Sequence, residues 1–205
     1  MANLMDLLQS QMSDGLLDTI AGQLGGADKD QTAKAATGIF STLMGAMAKN
    51  ASTPDGAASL ANALDRDHDG GLLDNVMDML GGNIQPHHTQ AANGAGILNH
   101  VLGKKQSGAI DMISQMSGLD SNKTGSLMTM LAPIVMANLG KAKKEQGFDV
   151  SMLTEFLGNS VKSTSNQGAQ MSMIAKFIDQ DGDGSIMDDL AGMGMKVFGS
   201  FFKKK

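Results

Sequence analysis

Residues 53–80 read TPDGAASLANALDRDHDGGLLDNVMDML, and this stretch decides the fold. Thr53 is a hydroxyl cap and Pro54 sits at the first helical position, a start signal because Pro lacks only an N–H that the first turn leaves unused. The helix then runs through Leu60 and Leu64 and gives way to the acidic loop Asp65-Arg66-Asp67-His68-Asp69-Gly70. A further helix from Leu72 to Leu80 stops at Gly81-Gly82. The pattern is helix, Asp-rich loop, helix.

Upstream the spacing is helical as well. Leu4, Leu7, Leu8 and Met12 form a short stripe. Asp14 offers a cap for Leu16, Leu17, Ile20 and Leu24, and Gly25-Gly26 ends that helix. Asp28 or Asp30 caps a longer helix carrying Ala36, Ile39, Phe40, Leu43, Met44 and Met47. No segment alternates convincingly enough to read as a strand. The most apolar run, Leu127 to Ala137, is too short to span a bilayer, which takes about 20 residues. It reads as a buried core helix bent near Pro133.

Beyond residue 82 the pattern starts again. A shift of 93 pairs Leu4 with Ile97, Leu8 with Val101, Gly15 with Gly108, Asp18 with Asp111 and Ile20 with Ile113. A shift of 92 pairs Asp28 with Asp120, Thr32 with Thr124 and Met44 with Met136. The acidic loop and its sequel, Asp65 to Asp74, match Asp179 to Asp188. We therefore expect an all-α chain, a tandem duplication of a short-helix unit. The first unit covers 1–82, a linker 83–96, and the second unit 97–205, with an inserted helix around 148–167 that carries Met152, Leu153, Phe156 and Leu157. Units of short helices bury their faces poorly alone, so the two should pack on each other, about a pseudo-twofold axis.

Composition narrows the function. The chain has 205 residues and no Cys, which excludes disulfides, thiolate metal sites and Cys nucleophiles. It has no Trp or Tyr and seven Phe, which argues against stacking platforms for single strands. Lys+Arg 16 against Asp+Glu 21 gives −5, and Arg66 is the only arginine. A nucleic-acid face wants a basic, Arg-bearing stripe, so no nucleic-acid partner is expected. The start of the chain lacks the basic region of a secretory signal, and a cytoplasmic protein is the expectation.

The acidic loops are the candidate site. Asp-x-Asp-x-Asp-Gly is the first half of a calcium loop, in which alternate carboxylates converge on one point. Gly at position six permits the turn, and an apolar residue at position eight anchors it. Asp65, Asp67 and Asp69 with Gly70 and Leu72 form one set; Asp179, Asp181 and Asp183 with Gly184 and Ile186 form the other. Position twelve is Val76 or Leu190, and position nine Leu73 or Met187, none of which can ligate. Asp74 and Asp188, at position ten, are the later acids that could complete the sites. Ca²⁺ bound this way would be weak, with Kd of about 10⁻⁴–10⁻³ M. The simpler reading is that the carboxylates cap the following helices, although capping needs one carboxylate and not three.

Little else suggests chemistry. His87-His88 reads as an exposed pair, His68 as pointing outward from its loop, and His100 as half-buried packing. No Ser/His/acid arrangement and no phosphate-binding Gly loop is present, so a non-enzymatic binding or scaffold protein is expected. The alternative is a protein- or membrane-surface interaction module. It would use a Met/Phe-rich face, with Ile186, Leu190, Met193, Val197 and Phe201 on one stripe before Lys203-Lys204-Lys205.

A resemblance runs through these same residues. Leu4-Met5-Asp6-Leu7-Leu8, Gly15-Leu16-Leu17-Asp18, Leu24-Gly25-Gly26, Thr53-Pro54-Asp55-Gly56 and Gly70-Gly71-Leu72-Leu73-Asp74 resemble the bacterial "domain of unknown function 937" family (YidB-like group). The resemblance covers about the first 82 residues and the second half more loosely. It implies a helical fold and a bacterial origin, and it implies no activity, cofactor or functional residue.

Overall fold

The computed structural model describes residues 13–68, 70–81, 89 and 91–165, with the side chains of 75 and 162–165 left aside. The described residues form eight α-helices and no strand: α1 (Asp14–Gln23), α2 (Lys29–Asn50), α3 (Pro54–Asp67), α4 (Val76–Leu80), α5 (Gly94–Val101), α6 (Gln106–Ser117), α7 (Ser121–Gln146) and α8 (Val150–Ser165). Short 3-10 turns, Gly71–Asn75 and Gly103–Lys105, lead into α4 and α6.

Two long helices make the centre. α2 and α7 bury residues around most of their circumference, as a helix enclosed on all sides must. They pack on each other. α6 and α8 pack on α2, and α5 and α6 on α7. By contrast α3 buries a single stripe, Ala57, Leu60, Ala61 and Leu64, spaced i, i+3, i+4, i+7, and that stripe meets α7 and α8. One apolar core runs from Leu16 through Phe40 and Leu64 to Leu98, Leu127 and Leu157. The residues before and after 82–90 therefore share a core.

Each long helix begins the same way. Asp28 accepts from the Gln31 N–H at 2.9 Å, and Asp120 from the Lys123 N–H at 2.9 Å. The buried Thr32 and Thr124 hydroxyls donate back to the carbonyls of Asp28 and Asp120. Two residues before each cap stands a glycine in the left-handed region, Gly26 at φ 73° and Gly118 at φ 78°, where a side chain would be strained. Lys29 pairs with Asp18 at 2.8 Å, and Ser121 stands against Asp111 at 3.5 Å. A capping Asp accepts an otherwise unpaired N–H of the first turn, so the same local chemistry builds two matching corners, α1–α2 and α6–α7.

Several expectations need adjusting. α3 does not stop at Leu64 but continues through Asp67. The stretch read as a helix from Leu72 is a 3-10 turn followed by α4. The segment read as linker to 96 ends earlier: Asn93 caps α5 by accepting from the Gly96 N–H at 3.0 Å. The apolar run Leu127 to Ala137 lies within α7, which includes Pro133 and is largely buried there as expected. The helix expected near 148–167 is α8. Asp149 accepts from the Met152 N–H at 2.8 Å, and Leu153 and Leu157 are fully buried, while Met152 faces solvent. The Leu4–Met12 stripe and the Ile186–Phe201 stripe lie outside the described residues.

Pro133 has a structural partner. Proline has no N–H, so the Thr129 carbonyl four residues earlier loses its helical donor. The first residue of α5, Gly94, is seated there: a Cβ built on it would lie 1.9 Å from the Thr129 oxygen. The hydrogen in that place is directed at the oxygen as a Cα–H···O contact.

Candidate functional site

The first acidic loop is described except for Asp69. Gly70 adopts φ 97°, the left-handed turn that its position requires. Its backbone lies so close to α7 that an added Cβ would sit 2.9 Å from Lys141 Cβ. Leu72 is buried and anchors the turn, and the Leu73 N–H donates to the Gly70 carbonyl at 3.0 Å.

The carboxylates go to different places. Because α3 continues through Asp67, Asp65 and Asp67 stand two residues apart on a helix, about 200° around its axis. Asp65 pairs with Lys143 of α7, Oδ1 to Nζ 2.5 Å, with the Lys143 side chain largely covered. Asp67 accepts from its neighbour Arg66, Oδ2 to Nη2 2.7 Å and to Nε 3.0 Å. The Arg66 guanidinium holds the Asp67 carboxyl below the usual carboxylate range, against the opposing effect of burial. Asp74 is exposed in the 3-10 turn. Among the described residues no three His, Cys, Asp or Glu side chains come together around one point. Asp69, Asp179, Asp181, Asp183 and Asp188 lie outside the described residues.

His68 does not point outward. It ends α3, its N–H donating to the Leu64 carbonyl at 3.3 Å, and its side chain is only 6 % exposed. With α3 extended to Asp67, residue 68 turns inward. Its Nδ1 has no hydrogen-bond partner among the described residues. Burial pushes the imidazole below its ordinary pKa, and the Asp67 charge offsets only part of that. His100, expected to be half-buried, is exposed. His87 and His88 lie outside the described residues.

The lowered His68 value has a signed consequence. The folded state holds the imidazole neutral, whereas the unfolded chain protonates near pH 6.5. Stability from this group is complete above that pH and falls as pH drops through it toward the lower folded value, by at most about 1.4 kcal/mol per pH unit. Thermal unfolding between pH 7.5 and 5 should show this loss in the native chain. A His68→Gln variant should be flatter over the same window; equal slopes would refute the assignment.

Neither the Lys143 pair, 78 residues from Asp65, nor the seat of Gly94 on Thr129 was visible in the periodicity. The one signal for the second was a proline inside an otherwise continuous helical stripe.

The family described as "Bacterial protein of unknown function (DUF937)" matches residues 6–142. That span is longer than the 82 residues of the resemblance noted above. It crosses 82–90 and reaches α7, the helix that completes the core of the first half. No curated protein and no solved structure matches the chain. The chain belongs to the DUF937 family. Among the described residues, no helix is long and apolar enough to cross a membrane.

Proposed function

We propose that this DUF937 protein is a non-enzymatic binding or scaffold protein built from duplicated helical units, in which the first acidic loop clasps α3 to α7. The observation that carries the clasp is the Asp65–Lys143 pair. It supplies from within the chain the positive charge that converging carboxylates would otherwise take from a cation. The seating of Gly70 against Lys141 and the burial of Leu72 support the same reading.

Calcium is the second reading, and the sequence of the other loop favours it. Where the first loop has Arg66 and His68, the second has Gln180 and Gly182. It therefore has no internal arginine to neutralise Asp181. We assign weak, structural Ca²⁺ binding to Asp179, Asp181, Asp183 and Asp188, with Kd of about 10⁻⁴–10⁻³ M.

Calorimetric titration of the full chain with CaCl₂ separates the two loops. Asp65→Asn with Asp67→Asn should leave the calcium heat unchanged. It should lower stability by about 1 kcal/mol at low salt, and by less in high salt because Asp65 is largely exposed and screened. Loss of calcium binding in that variant would overturn the clasp. Asp179→Ala, Asp181→Ala and Asp183→Ala together should abolish the heat; retention would end the calcium reading.

A further inference from the structure

Methionine makes up 18 of the 205 residues, and the chain has no Cys, Trp or Tyr. The thioether is then the side chain most readily oxidised by a peroxide, and its susceptibility follows exposure. The described methionines differ in exposure, and Met79, Met112, Met116 and Met130 are half-buried. Met44, Met47, Met128 and Met136, on the two central helices, are buried. Met77 on α4 and Met152 near the start of α8 are 55 % and 47 % exposed.

Neither exposed thioether is needed for packing. Beside Met77, the buried Leu80 anchors α4, and its carbonyl accepts from the Gln23 side chain on α1. Beside Met152, Leu153 and Leu157 fill the contact, and the cap made by Asp149 holds the backbone. Adding an oxygen at either sulfur desolvates nothing and opens no cavity. The same change at Met44 or Met128 would place a polar sulfoxide in the core.

We infer that Met77 and Met152 are oxidant-accepting sites, which take up oxygen from peroxides while the fold stays intact. In the reaction a sulfur lone pair attacks one oxygen of hydrogen peroxide. The O–O bond breaks, an S–O bond forms, the other oxygen leaves as water with both protons, and sulfur is oxidised by two electrons. Methionine sulfoxide reductases reverse it.

The test exposes the full chain to hydrogen peroxide and follows each methionine by peptide mass spectrometry, with helicity read by circular dichroism. Met77 and Met152 should reach half-oxidation roughly tenfold or more before Met44, Met47, Met128 and Met136, with the helical signal unchanged at that point. Comparable rates at exposed and buried methionines, or helix loss with the first oxidations, would overturn the inference. In a second arm, Met77→Leu with Met152→Leu, a volume-conserving pair, should take up two fewer oxygens before the helical signal declines. An unchanged count would equally overturn it.

Discussion

Gly94→Ala is expected to be among the most destabilising conservative changes in this protein. The added methyl would stand 1.9 Å from the Thr129 oxygen and 2.8 Å from its carbonyl carbon, both backbone atoms that cannot rotate away. Relief requires α5 to lift off α7, which would loosen Leu98 and Val101, both buried in the shared core. Overpacking of this kind costs about 3 kcal/mol, and in a chain of this size that lowers Tm by roughly 6–12 °C. Gly15→Ala is the matched control. Gly15 lies in α1 with nothing near its missing Cβ, and there Ala should be neutral or stabilising by about 0.5–1 kcal/mol. If thermal unfolding finds the two variants alike, the seat of α5 on α7 is wrong.

Phe40→Ala should cost more still. Phe40 is 1 % exposed in the middle of α2, the helix on which α6, α7 and α8 all pack. Removing a buried phenyl ring loses its transfer free energy and leaves a cavity, about 3–5 kcal/mol together. That is a large share of the roughly 5–15 kcal/mol that holds a typical domain folded. The form of the transition matters as much as its midpoint. Because one core includes residues from both sides of 82–90, the variant should unfold in a single calorimetric transition shifted down by roughly 10 °C or more. Two transitions, one shifted and one unmoved, would show instead that the halves are stable separately.

Both predictions depend on contacts between distant residues, which local periodicity does not encode. The starts at Asp28 and Thr53 were readable because a cap is made within three residues, Asp28 to Gln31 and Thr53 to Gly56, whereas α1 is capped by Ser13 and not by Asp14. A stop was readable where glycines take a left-handed turn, as at Gly25-Gly26. α3 was misjudged at its end because Asp65 and Asp67 suit a loop by composition, and Asp has little preference for helix interiors. The pull of Lys143 on Asp65 and the burial of His68 come from α7 and the core, and they favour three more helical residues. The acidic motif was recognisable as a string, but its geometry was not. A spelling that converges carboxylates in a loop separates them on a helix.

The amino-acid string alone indicated the helical character that the described residues show and the capped starts at Asp28 and Thr53, since each of these rests on interactions within a turn or two of backbone. The folded molecule alone decided which charges meet, which imidazole is buried, and why a proline sits inside the longest described helix. Those outcomes depend on surfaces brought together across 35 to 78 residues. No local preference encodes such a meeting, because its free energy appears only once both helices occupy the same core.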